Sequence, residues 1–109
     1  MAYDEGLSQR IREMLENEPC VDEKKMFGGL AFMVNGNMSV GVTNADLMVR
    51  VGPDDYEAAL AEPDARPMDF TGKPLRGFVY VDARGYESDE ALASWVNRGV
   101  NYALSLPPK

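Results

Sequence analysis

Apolar residues return at Tyr3, Leu7, Ile11, Met14 and Leu15, a spacing that lays them along one side of a helix. Asp4 and Glu5 fall in its first turn, where the helix dipole favours anions, and Asn17 and Pro19 supply the stop. From Val21 the period shortens to that of a strand. Val21 to Phe27 runs into Gly28-Gly29, and Leu30 to Val34 and Met38 to Val42 are then joined by Asn35-Gly36. That dipeptide is the strongest short-range signal for a two-residue type I′ hairpin. Leu30, Phe32 and Val34 are expected to share one face, and Met38, Val40 and Val42 one face of the next arm. A polar turn at residues 43–46 leads to Leu47, Val49 and Val51, which alternate with Met48 and Arg50.

Gly52-Pro53 ends the sheet pattern, and Pro53 suits the first turn of a short helix carrying Tyr56, Ala59 and Leu60. Pro63 closes it. The stretch from Asp64 to Arg76, with Met68, Phe70 and Leu75, reads as irregular, and Gly77 to Val81 as a buried strand. Ser88 is the expected N-cap of a last helix whose inner side carries Leu92, Trp95, Val96, Gly99, Ala103 and Leu106, before Pro107-Pro108. The predicted architecture is a single α+β domain over residues 1–109. An antiparallel sheet of about five strands, in the order α-β-β-β-β-α-β-α, is covered by the two terminal helices.

A chain of 109 residues fits one domain that buries about two-thirds of its unfolded surface. No apolar run reaches the length needed to cross a bilayer, and the N-terminus has neither the basic start nor the apolar core of a signal peptide. We therefore expect a cytoplasmic protein. The formal net charge is −7, so phosphate backbones and anionic lipids repel the molecule at long range, and direct nucleic-acid or membrane binding is not expected.

Chemistry is scarce. With no histidine there is no Ser-His or Cys-His pair, no ordinary neutral-pH base and no imidazole metal ligand. The single cysteine, Cys20, supports neither a sulfur-rich zinc site nor an internal disulfide; we expect a small apolar filler beside Pro19 and Val21, the alternative being a reactive thiol. Gly72-Lys73 fails as a phosphate loop because Pro74 stands where Ser or Thr is required. No catalytic residue, metal site or cofactor is expected, so the chain reads as a non-enzyme.

One constellation stands out against the acidic background. Residues 66–80 carry three cations and one anion, Asp69. Lys24 and Lys25 lie on the first strand, Arg50 on the fourth, and Lys73 and Arg76 flank the entry to the fifth. Some of Lys24, Arg50, Lys73 and Arg76 are candidates to hold an anion or an acidic partner segment; otherwise they pair with surplus carboxylates, each exposed pair contributing little. Met26, Met33, Met38, Met48 and Met68 form either core filling or an adaptable binding surface.

Four strings carry a resemblance: Lys24-Lys25-Met26-Phe27-Gly28-Gly29-Leu30-Ala31-Phe32, Asn35-Gly36-Asn37-Met38, Asp46-Leu47-Met48-Val49-Arg50-Val51, and Met68-Asp69-Phe70-Thr71-Gly72-Lys73-Pro74-Leu75-Arg76-Gly77. Together they closely resemble the N-terminal domain of the bacterial TfoX/Sxy family. The resemblance implies a compact α+β domain related to the secretion-chaperone-like fold, often a homodimer, with no catalytic residues to carry over. It also implies a regulatory role: the founding regulators of natural competence work with the catabolite activator protein through protein contact. Those regulators carry a second, helical C-terminal domain, and we expect a stand-alone copy ending at Lys109 without it. The expected function is thus a cytosolic protein-interaction module with a protein partner, such as a transcriptional activator. The alternative is a small-molecule or anion binder, or a minor enzyme, using the basic group.

Overall fold

The computed structural model describes residues 4–26, 28–69, 72 and 75–108. Six strands form one antiparallel sheet in the order β1-β2-β3-β4-β6-β5. The strands are β1 (Val21–Met26), β2 (Gly29–Val34), β3 (Asn37–Thr43), β4 (Asp46–Arg50), β5 (Ala65–Pro67) and β6 (Phe78–Val81). Three helices, α1 (Glu5–Met14), α2 (Tyr56–Leu60) and α3 (Asp89–Ser105), and a 3₁₀ turn at Ala83–Tyr86 complete the order. The α+β class stands, with one more strand than the periodicity suggests. The addition is β5, three residues inside the stretch read as irregular, which exists only because its backbone pairs with β6.

Local signals set the ends of the elements. The Asp4 side chain caps α1 by accepting from the Leu7 N–H at 3.1 Å, and Ser88 caps α3 by accepting from the Ala91 N–H at 3.1 Å. Asn35 and Gly36 both adopt positive φ, 54° and 81°, the pair of angles a type I′ turn requires. Tyr3 and Phe27 lie outside the described residues.

The helices all cover one face of the sheet. Leu7, Ile11 and Leu15 of the first segment, Tyr56 and Ala59 of α2, and Leu92, Trp95, Val96, Val100 and Ala103 of α3 bury against Phe32, Val40, Val49 and Val79. The opposite face carries a separate apolar cluster of Ala31, Met33, Met38, Met48, Met68 and Tyr80, with Met26, Leu75 and Phe78 packed against it. Five of the seven methionines thus lie on a single face. Met48 and Met68 are wholly buried, which favours the core-filling reading.

Met38 departs from its expected face. Pairing runs Phe32 with Val40 and then Met33 with Met38, leaving Ser39 as an extra residue in β3. This bulge flips the alternation, so Met38 joins the methionine face while Val40 and Val42 stay under the helices. The buried Ser39 hydroxyl donates to the Phe32 carbonyl at 2.8 Å, satisfying a group that the interrupted ladder leaves open. Cys20 also differs from expectation. It is exposed, with φ 60°, and its carbonyl accepts from the Asn35 N–H at 3.0 Å, so it shapes the turn into β1 and fills nothing.

Tyr86 ties the 3₁₀ turn to the β3–β4 turn, its hydroxyl donating to the Ala45 carbonyl. Burial, and then the negative charges of Asp4 and Asp46, hold its proton on above the ordinary tyrosine range. The folded state therefore keeps a proton that the unfolded chain releases above about pH 10. Stability is unaffected by this group below that pH and falls as pH rises from there through the folded pKa. Tyr86→Phe is expected to flatten the alkaline decline in denaturation midpoint; the remaining slope belongs to Tyr80, which burial raises likewise. An alkaline slope identical to that of the unaltered chain would refute the assignment.

Candidate functional site

The sequence candidates fall at two places, the β1 edge and the end of the sheet where β4 leaves. β1 pairs with β2 along one side, from Val21 opposite Val34 to Met26 opposite Gly29. Among the described residues, no strand pairs with its other side. Its sequence alternates between faces, with Val21, Glu23 and Lys25 toward the helices and Asp22, Lys24 and Met26 toward the methionine face. Residues 22–25 are all exposed.

Glu23 is held. Arg12 of α1 donates to it through both Nε and Nη2, at 2.6 and 2.8 Å, a two-point contact that fixes the angle of α1 across the edge. That hydrogen bond, against a smaller opposing effect of burial, keeps the Glu23 carboxyl below the ordinary glutamate range. The charge of Glu23 is thereby answered within its own molecule.

The basic candidates separate. Lys24 stands on β1, opposite Ala31, and reaches β4 only across β2 and β3, about 14 Å at normal strand spacing. Arg50 and Arg76 come to the same end of the sheet, where the Val51 and Gly52 N–H groups both donate to the Gly77 carbonyl at 2.8 and 3.0 Å. Each arginine lies over aromatic rings. The Arg50 guanidinium is 5.4 Å from the Phe78 ring centre and 5.3 Å from that of Tyr102, and the Arg76 guanidinium is 5.6 Å from that of Tyr56. Lys73 lies outside the described residues.

Among the described residues, Lys24, Arg50 and Arg76 make no ion pair, whereas Arg10, Arg12, Arg66 and Arg98 each meet a carboxylate. Arg66 bridges Asp46 and Asp82 and covers the Tyr80 ring at 5.0 Å, so it belongs to the framework. Pairing with surplus acids thus accounts for the framework arginines but, among the described residues, not for Lys24, Arg50 or Arg76. The aromatic seats of Arg50 and Arg76 could not be read from the sequence, because Tyr56 and Tyr102 reach them from α2 and α3. No group of three or more acidic or cysteine side chains gathers closely enough to share a metal ion among the described residues. Nor is any described helix long and apolar enough to cross a membrane.

Comparison with curated proteins and with solved structures gives no match. The family model described as the TfoX N-terminal domain matches residues 13–103, which takes in every strand of the sheet and α3 as far as Ala103. The antiparallel sheet with its helical cover agrees with that match, and the chain belongs to the TfoX N-terminal domain family.

Proposed function

We propose that this domain works by protein contact, without transforming a substrate, and that its first contact is a second copy of itself through β1. The carrying observation is the open β1 edge with its ordered charges, Asp22-Glu23-Lys24-Lys25. Unpaired strand edges invite another strand, and charges on them normally guard against indiscriminate pairing. Here their order selects a register.

A two-fold axis perpendicular to the sheet pairs residues of like parity, because opposite residues of an antiparallel pair point to the same face. Centred on Glu23, it sets Asp22 against Lys24 of the second copy, and Lys24 against Asp22 of that copy. The two Glu23 carboxylates meet at the axis, but each already carries its own Arg12. The union yields one continuous sheet across both copies.

Sedimentation analysis of the full chain tests this. The unaltered protein is expected to dimerise at micromolar concentration. Lys24→Glu sets like charges opposite each other twice and is expected to weaken the dimer about tenfold or more. The exchanged pair Asp22→Lys with Lys24→Asp should restore it. A protein that stays monomeric at high concentration, or a dimer indifferent to Lys24→Glu, would refute the reading. In the regulatory role that the family resemblance implies, Arg50 and Arg76, which make no ion pair among the described residues, then offer their N–H groups to an acidic segment of a further protein partner.

A further inference from the structure

Two arginines of α1 reach other elements. Arg10 meets Asp89 at the start of α3 at 3.2 Å, and Arg12 meets Glu23 on the open strand β1. Arg12 Nη1 also donates to Gln9 Oε1 at 3.3 Å, three residues back on the same helix. The guanidinium is therefore oriented from both sides. It brings the last turn of α1 to the residue on which the two-fold axis of a β1 pair falls.

Both members of the contact are about one-third open to water, with side-chain exposures of 38% for Arg12 and 34% for Glu23. In a single copy such a pair contributes little, because solvent screens it and ordering two side chains costs entropy. Joining two β1 edges changes that balance. The Glu23 carboxylates of both copies then stand opposite each other, with β-carbons about 5 Å apart, and the second strand displaces water from one side. Two bare carboxylates so placed repel. Two carboxylates that each accept from a guanidinium at two points carry no net charge, and a pair withdrawn from water is screened less. Lys25 shares the face of Glu23 and lies diagonally from Glu23 of the second copy. It adds a mobile single charge there, without the two-point hold.

We propose that α1 belongs to the self-recognition surface, and that its last turn and the β1 dimer stabilise each other through the Arg12–Glu23 pair. This coupling, which rests on the β1 pairing proposed above, is reciprocal. Whatever factor a docked α1 adds to dimerisation, the dimer returns to the docking of α1. A protein that draws this turn away from the edge thereby opens the dimer, which makes α1 a point of regulation for the assembly.

Sedimentation and amide hydrogen exchange on the full chain test the coupling. Arg12→Gln leaves two carboxylates face to face and is expected to weaken the dimer about fivefold or more. Arg12→Gln combined with Glu23→Gln removes the same tie to α1 but also the repulsion. The double variant is expected to dimerise within about twofold of the unaltered chain. Exchange at amides 12–15 is expected to slow about fivefold as rising concentration converts monomer to dimer, and to lose that response in the double variant. A double variant as weak as Arg12→Gln alone would mean that the arginine only holds the fold, and would overturn the coupling. So would exchange in this turn that ignores dimerisation. A dimer that Lys24→Glu weakens and Arg12→Gln leaves intact would overturn the coupling and spare the β1 pairing. A chain that stays monomeric overturns both.

Discussion

Gly99→Val is expected to destabilise the domain by about 3 kcal/mol or more, enough to unfold much of the population of a marginally stable domain. A β-carbon at this position of α3 would lie 2.3 Å from the Ser39 carbonyl oxygen and 2.7 Å from Val40 Cγ1. The first of these is backbone at the bulge of β3, held by the sheet on both sides, so it cannot turn away as a side chain would. Even Gly99→Ala, which raises intrinsic helix propensity by about 1 kcal/mol, is expected to lose stability, because α3 must lift off the sheet to admit the methyl group. Lifting it uncovers Trp95, Val96 and Val100 together. Guanidinium denaturation followed by Trp95 fluorescence measures the loss. Asn97→Ala, on the exposed side of the same helix, serves as control and is expected to change stability by less than about 0.5 kcal/mol. A stabilising Gly99→Ala would mean that α3 does not rest on the bulge.

Phe32→Ala is expected to cost about 3–5 kcal/mol. Phe32 is wholly buried in the middle of β2, facing the helices, and it is the largest of the fully buried side chains. Its neighbours on that face include Val40 and Val49 on adjoining strands, which the hydrogen-bond ladders keep from moving in to fill the gap. The substitution leaves its backbone carbonyl in place, so the bond from Ser39 survives and the loss reports packing alone. Met48→Leu, which conserves volume in the flexible methionine cluster of the other face, is expected to cost less than about 1.5 kcal/mol. Comparable losses in the two variants would show that both faces of the sheet are equally rigid and would contradict the expected contrast.

The neighbourhood of β3 shows how far periodicity carries. Alternation locates the strand and Asn35-Gly36 locates its turn, yet alternation alone places Met38 beneath the helices. The bulge at Ser39 is a relation between two strands, stabilised by a hydroxyl bonded seven residues away, and no window along the chain contains it. β5 is similar. Ala65-Arg66-Pro67 has no strand signature of its own and is ordered by β6. Cys20 passes for an apolar filler by composition, but its place in a turn with positive φ leaves it in solvent.

The candidate sites divide along the same line. The absence of histidine and the lone thiol are properties of composition alone, as is the excess of acids. The charge order of residues 22–25 was also there to be read, but its significance as an edge needs the sheet order. The four basic candidates looked like one group because the chain gives no distance between β1 and β4; the sheet puts two strands between them.

By itself the sequence determined the Ser88 cap of the last helix, the type I′ turn, the kind and order of most elements, and a composition without imidazole. These depend on side chains acting within a few residues of themselves, where backbone geometry fixes the distances. Tertiary structure alone decided that all helices cover one face, that Met38 turns to the other, and that Arg50 rests on Tyr102. Those are meetings of segments far apart in the chain, set by the burial of the whole apolar surface at once, which no local pattern records.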